Sequence, residues 1–156
     1  MIALAIAFYK IALTLLAIVL LVVVAVALAS LVDHLSKKRK HSEFLKTQAG
    51  RYFLWYGSNK KILSTVQQQF IPKIKIRYDV IFNNKGKLEH DLEQDQFRLL
   101  AIEAKDKKLP VLLKITGKSI IAESFYQELY HLKKGRISQN EYDRKIIFKF
   151  NKLENE

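Results

Sequence analysis

From Ile11 to Val32 the chain runs 22 residues without a charged side chain. At about 1.5 Å per residue, a helix over that run is roughly 33 Å long, enough to cross a hydrocarbon core of about 30 Å. Only Thr14 and Ser30 within it are polar, and both hydroxyls can return to the carbonyl of the preceding helical turn. Lys37-Lys38-Arg39-Lys40 comes directly after it. Before the run stands one cation, Lys10, so the positive-inside bias predicts the N-terminus outside and the C-terminus in the cytoplasm. Ile2–Phe8 is also apolar, and a straight helix over the longer stretch would exceed the bilayer by about 16 Å. Tyr9 and Lys10 therefore mark the outer interface, or the helix tilts and Lys10 snorkels outward.

A cleaved signal peptide is the competing reading, because Ala25-Val-Ala27 and Ala27-Leu-Ala29 both have A-x-A spacing. The apolar run is longer than a signal peptide needs and meets a basic cluster at once, which favours a retained anchor over residues 1–36. The rest of the chain is long enough for one domain of roughly 110 residues with a small core.

The net charge of +12 is unevenly spread. His34–Tyr78 holds 11 Lys/Arg against Glu43 alone, or +10, whereas Asp79–Glu156 holds 15 Lys/Arg against 13 Asp/Glu, or +2. Cysteine is absent, which excludes disulfide scaffolds, thiolate metal sites and cysteine nucleophiles. The histidines (34, 41, 90 and 131) never fall at a metal-ligand spacing such as i, i+4.

Residues 37–70 read as basic, aromatic juxtamembrane helices. Ser42 caps a first helix ending at Gly50. Arg51-Tyr-Phe-Leu-Trp-Tyr-Gly57 is an aromatic cluster holding the single tryptophan, and Ser58 caps a second helix with Ile62, Val66 and Phe70 on one face. Cations interleaved with aromatic rings suit anionic lipid headgroups or nucleic acid. Position favours lipid, with Lys37, Lys38, Arg39, Lys40, Arg51, Trp55, Lys60 and Lys61 as the membrane-surface residues.

Residues 71–118 are expected to form a small α+β core. Lys73–Phe82 alternates, with Ile74, Ile76, Tyr78, Val80 and Phe82 on one face and cations on the other, as a half-buried strand does. Asn83-Asn84-Lys85-Gly86 reads as a turn returning through Leu88, His90 and Leu92. Asp91, Glu103 and Lys105 resemble the D…ExK signature of restriction-endonuclease-like nucleases. That resemblance implies Mg²⁺ held by Asp91 and Glu103, with Lys105 orienting the attacking water, and it requires the motif on neighbouring strands. The intervening residues favour a helix instead. Asp91 and Gln94 have capping-box spacing, Phe97, Leu100, Ala101 and Ala104 form an i, i+3, i+4, i+7 stripe, and lysines crowd the end. On one helix Asp91 and Glu103 stand about 18 Å apart, too far to share a metal. Leu109-Pro110 then breaks the helix, and Val111–Thr116 reads as a strand ended by Gly117.

Residues 119–156 read as a helical hairpin, with Ile121, Phe125, Leu129 and Leu132 on one face, Gly135 as terminator and Ser138-Gln-Asn-Glu141 as a capping box. Leu129, Leu132, Gly135, Ile137, Ser138, Glu141, Tyr142 and Lys145 stand at the spacings of the SHOCT family, short C-terminal domains of bacterial proteins, and about Phe125 to Phe148 resembles it. The resemblance implies a non-catalytic hairpin used for oligomerisation or partner contact, here through Leu129, Leu132, Tyr142 and Ile146. Taken together, the expectation is a single N-terminal transmembrane helix followed by a small α+β cytoplasmic domain ending in a helical hairpin. Its role would be interaction or assembly at a bacterial inner membrane, with no cofactor. A membrane-tethered, Mg²⁺-dependent nuclease acting on DNA is the alternative.

Overall fold

A computed structural model describes residues 2–60 and 62–155. Lys61 and the side chains of residues 2–12 and Thr14 lie outside the described residues, and with them the roles expected of Tyr9, Lys10, Thr14 and Lys61. The chain falls into two compact units, Met1–His41 and Ser42–Glu156.

The first unit is helical throughout its described residues, because nothing in the apolar run breaks a helix. It belongs to α1 (Ile2–Thr47). Within α1, Leu15–Thr47 is long and apolar enough to cross a membrane, with a mean hydropathy of 3.3 in its most apolar window and none of that window buried.

Three differences from the expected juxtamembrane helices stand out. Ser42 starts no helix, because α1 passes straight through it to Thr47. There the Thr47 hydroxyl donates back to the Glu43 carbonyl at 2.9 Å. The turns after Ser42 belong to the second unit and bury Phe44 and Leu45. The aromatic cluster is a strand, β1 (Tyr52–Gly57), with side chains packed on both faces as a central strand requires. Ser58 caps no helix among the described residues either: the N-cap before Leu63 is Ile62, and the Ser58 Oγ accepts the Lys85 backbone N–H at 3.0 Å.

The second unit is a five-stranded mixed sheet in the order β3-β2-β1-β4-β5, with helices on both faces. Its remaining strands are β2 (Asp79–Asn84), β3 (Lys87–Glu89), β4 (Val111–Ile115) and β5 (Ile120–Ser124). β1 runs parallel to β2, pairing Leu54 with Val80, and antiparallel to β4, pairing Leu54 with Leu112. Parallel neighbours need a crossover. Here it is α2 (Leu63–Thr65), a π-helical turn (Val66–Phe70) and a 3₁₀ turn (Ile71–Lys73). Ile62, Val66 and Phe70 are buried together, as their spacing predicts.

The expected strand Lys73–Phe82 is shortened to Asp79–Asn84. Ile74, Ile76 and Tyr78 keep their common face and pack on the core, but the backbone there is not part of the sheet. The centre of β2 is Ile81, which is fully buried while Val80 is 43% exposed. The β2–β3 turn forms as expected, with Lys85 and Gly86 both at positive φ, 52° and 94°; a side-chain-free residue at the second position suits such a hairpin.

α3 (Gln94–Ala104) lies after β3 and buries Leu100 and Ala104. Together with Phe44 and Leu45 it covers one sheet face, against Phe53, Ile81, Val111, Leu113 and Ile115. The other face holds Leu54 and Leu112 under the crossover, α4 (Tyr126–Lys133) and α5 (Gln139–Asn155). Phe70, Phe125 and Phe150 join these three elements, with ring centroids 4.7 Å apart for Phe70–Phe125 and 5.3 Å for Phe125–Phe150. Each large side chain removed from water in this way contributes about 1.5–3 kcal/mol.

The start of the C-terminal region also differs from expectation. Ile120–Ser124 is a strand, not helix. The Thr116 hydroxyl and the Ser119 backbone close a tight turn that folds β5 back on β4, so Ile120 and Ala122 face one core and Ile121 the other.

Candidate functional site

The D…ExK residues are separated by a helix. Asp91 lies in the loop before α3, whereas Glu103 and Lys105 stand at its far end, and all three are exposed. Gln94 to Ala104 alone spans about 15 Å. The expected Asp91–Gln94 capping box does not form, because the N-cap is Glu93, without a side-chain cap. The helical reading of this segment is the one observed, and the two-strand geometry that a nuclease requires is not. Among the described residues, no group of three or more His, Cys, Asp or Glu is placed to hold a metal ion.

The basic collar divides into two kinds of residue. Lys37, Lys38, Arg39 and Lys40 are exposed on α1, with Lys37 paired to Asp33 at 2.6 Å. Lys60 is also exposed. Arg51, by contrast, is engaged inside its own unit: its guanidinium donates to Asp79 on β2 at 2.5 and 3.1 Å and to Gln48, and it covers the Phe53 ring. Trp55 packs within the second unit. Alternation along β1 turns its ring toward α3, where it meets Phe97 at 5.3 Å, and its buried Nε1 has no hydrogen-bond partner among the described residues. Phe97 in turn stacks on His90 at 4.5 Å.

The hairpin residues expected to meet a partner instead face inward. Leu129, Tyr142 and Ile146 are 0–1% exposed and Leu132 is half-buried, all against the sheet and crossover. The spacing that suggested a contact stripe is the spacing of a core stripe, and the sheet behind it takes the space. The termini are built as the sequence requires. Gly135 adopts φ +64°, its N–H bonds Leu132 O and the Arg136 N–H bonds His131 O, both at 2.9 Å, the paired bonds of a Schellman end. The Ser138 Oγ accepts the Glu141 N–H at 3.2 Å, while the Glu141 carboxylate turns to Lys145 at 2.8 Å. That hydrogen bond holds the Glu141 carboxyl below the usual range. Burial pushes the Tyr142 hydroxyl well up, and it donates to Gln69 O at 3.4 Å.

The outer face of α5 is different. Phe148 is 71% and Ile147 58% exposed, with Arg144 and Lys152 one turn to either side of Phe148. Beside Phe148 opens a shallow depression of about 680 Å³ between α5, α4 and β5. Its floor is an ion cluster. Lys149 Nζ sits 3.0 Å from Glu128 Oε1 and 3.2 Å from Glu123 Oε1, and donates to Ser124 O at 2.6 Å. Glu128 Oε2 is buried with no donor among the described residues. This surface offers an apolar contact ringed by charges of both signs, which suits recognition of another surface more than bond-breaking chemistry. An exposed Phe148 between cations at i−4 and i+4 was available as a signal in the sequence. No family model, curated protein or solved structure matches this chain.

Proposed function

We propose that this chain is a single-pass membrane-anchored interaction protein without a catalytic role, its second unit lying at the cytoplasmic face of a bacterial inner membrane. The observation that carries the reading is the contrast within α5, whose inner face is fully packed while Phe148 and Ile147 stand in solvent. Adjoining exposed apolar side chains rimmed by charged groups are the pattern of a contact surface.

Three further features support it. The helix Leu15–Thr47 has the length and apolarity of a span. Four cations come after the apolar run against the single Lys10 before it, the asymmetry of an inward-facing C-terminus. Lys37–Lys40 would hold anionic headgroups at about 1 kcal/mol each. The α4–α5 pair, with its Gly135 end and Ser138 cap, is compatible with a SHOCT-like hairpin whose partner surface is the outer face of α5 instead of the buried stripe. The partner is a protein, either a second copy or another chain; nucleic acid is not favoured.

The test is photo-crosslinking in native membranes, with a reactive residue at Phe148 and a control at Lys118 in the β4–β5 turn. A discrete adduct at position 148 alone is expected. A chain that stays monomeric and forms no adduct at position 148 would overturn the reading. Mass spectrometry of the same fraction checks the anchor: a mature chain beginning near Ser30 would remove it and reverse the localisation.

A further inference from the structure

The sheet has one place where its connections diverge. β1 and β2 run parallel and end together at Gly57 and Asn83, and the chain leaves β1 for the crossover on one side. On the other side β4 runs antiparallel, so the loop entering β4 arrives at that same end, where Val111 pairs Trp55. Crevices outside the carboxyl ends of parallel strands, where connections part, are where open sheets hold ligands, because no strand or helix fills the gap there.

Such a crevice is present. A cleft of about 320 Å³ lies between the end of β1 (Tyr56, Gly57), the first turn of the crossover and Lys108–Pro110, a volume in the range of small-ligand sites. Its walls are largely apolar: Ile62, Val66, Leu109 and Pro110, with Tyr126 at the start of α4. Among the described residues that line it, Lys108 is the one that is charged, and none is acidic. Its ammonium stands 5.4 Å from the centre of the Tyr126 ring and, among the described residues, has no carboxylate within ion-pair distance. Tyr56 and Tyr126 add phenol hydroxyls and Asn59 an amide. The described residues of the two segments that frame the cleft, 58–60, 62 and 105–110, include four lysines and one aspartate, so the local field also favours an anion.

We infer that this cleft binds a small organic anion, one carboxylate or phosphate group on an apolar body, with Lys108 holding the anionic group and Tyr126, Ile62 and Val66 enclosing the body. A cation is disfavoured by the same lining, because no carboxylate among the described residues faces it. The inference stands apart from the α5 surface, which lies elsewhere on the second unit.

Calorimetric titration of the full chain in detergent tests it, with phenyl phosphate and phenylacetate as probes and benzylamine as the opposite-charge control. Saturable binding of at least one anion is expected, with methyl NMR shifts at Ile62 and Val66, and none for benzylamine. Phenyl phosphate alone would identify a phosphate ligand, and phenylacetate alone a carboxylate. Lys108→Gln should weaken binding by about tenfold, the worth of a charge-assisted hydrogen bond, while Lys118→Ala leaves it unchanged. An unaltered melting curve for Lys108→Gln separates lost binding from lost fold. Absence of saturable binding by both anions, equal binding of benzylamine, or an affinity insensitive to Lys108→Gln would overturn the assignment.

Discussion

Replacing Lys149 with Met isolates the charge in the α5 cluster, because Met keeps most of the aliphatic stem and removes the ammonium, which sits 5.4 Å from the centre of the Phe125 ring. The ammonium serves Glu128, Glu123 and the Ser124 carbonyl at 3.0, 3.2 and 2.6 Å, and the three charged side chains are only 21%, 12% and 21% exposed for Lys149, Glu128 and Glu123. Without it, Glu128 retains a carboxylate with no donor on either oxygen among the described residues, since Oε2 already has none. Breaking a fully buried pair costs about 3–5 kcal/mol; discounted for the solvent that reaches this one, the loss should be about 2–3 kcal/mol. For a unit of about this size that lowers Tm by about 8–12 °C. Adding Glu128→Gln to the variant should restore about half, because a neutral amide is less costly to leave in that position than a charge. Urea unfolding of residues 42–156 followed by circular dichroism measures both steps. A loss below about 0.5 kcal/mol, as for a surface pair, or no recovery on adding Glu128→Gln, would refute the reasoning.

Three other outcomes rest on the same packing. A chain starting at Ser42 should fold and stay soluble, whereas one starting at Gly50 should lose several kcal/mol, since it lacks the buried Phe44 and Leu45; denaturant midpoints decide. Tyr142→Phe removes only the long bond to Gln69 O and should cost about 0.5–1 kcal/mol by urea unfolding, against about 3–5 kcal/mol for Tyr142→Ala. For Asp143, the hydrogen bond from Lys73 at 2.5 Å, then that from Gln139, holds the carboxyl below the usual range. A depressed folded value means stability that is present above the ordinary aspartate range and lost as pH falls through the folded value. Asp143→Asn should therefore be less stable than the parent by about 0.5 kcal/mol near neutrality, with the gap closing below about pH 4; paired urea midpoints at the two pH values read this.

Features set by a few adjacent residues were legible in the sequence. The apolar span, the Asn83–Gly86 turn, the α3 stripe, the Gly135 end and the Ser138 cap each depend on local chemistry. The features that escaped were decided across the chain. Tyr52–Gly57 carries no alternation because it is buried on both faces, so a central strand looked like an aromatic patch. Ile120–Ser124 was hidden by Phe125 and Leu129, whose helical spacing extends back to Ile121 by coincidence, and only the turn onto β4 makes it a strand. Ile74, Ile76 and Tyr78 show the reverse case, keeping a strand's alternation and facing the core with no neighbour to pair. Among the site residues, Leu129, Tyr142 and Ile146 were legible as one stripe, but whether a stripe faces a partner or its own sheet is fixed by the strands behind it. The same limit applied to Trp55, whose chemistry suits a membrane interface and whose register on β1 sends it under α3.

The place of β1 in the sheet also sets a timetable. It is the first strand to leave the ribosome and it waits for both neighbours, because its parallel partner begins at Asp79 and its antiparallel partner Leu112 lies 58 positions after Leu54. At about 5–20 residues per second that interval is about 3–12 seconds. Throughout it, a strand reading Tyr-Phe-Leu-Trp-Tyr-Gly has at least one edge open, the sort of segment that pairs with copies of itself on neighbouring nascent chains. Arg51 and Lys60, which flank it in sequence, are suited to keep such copies apart through like charge until β4 arrives.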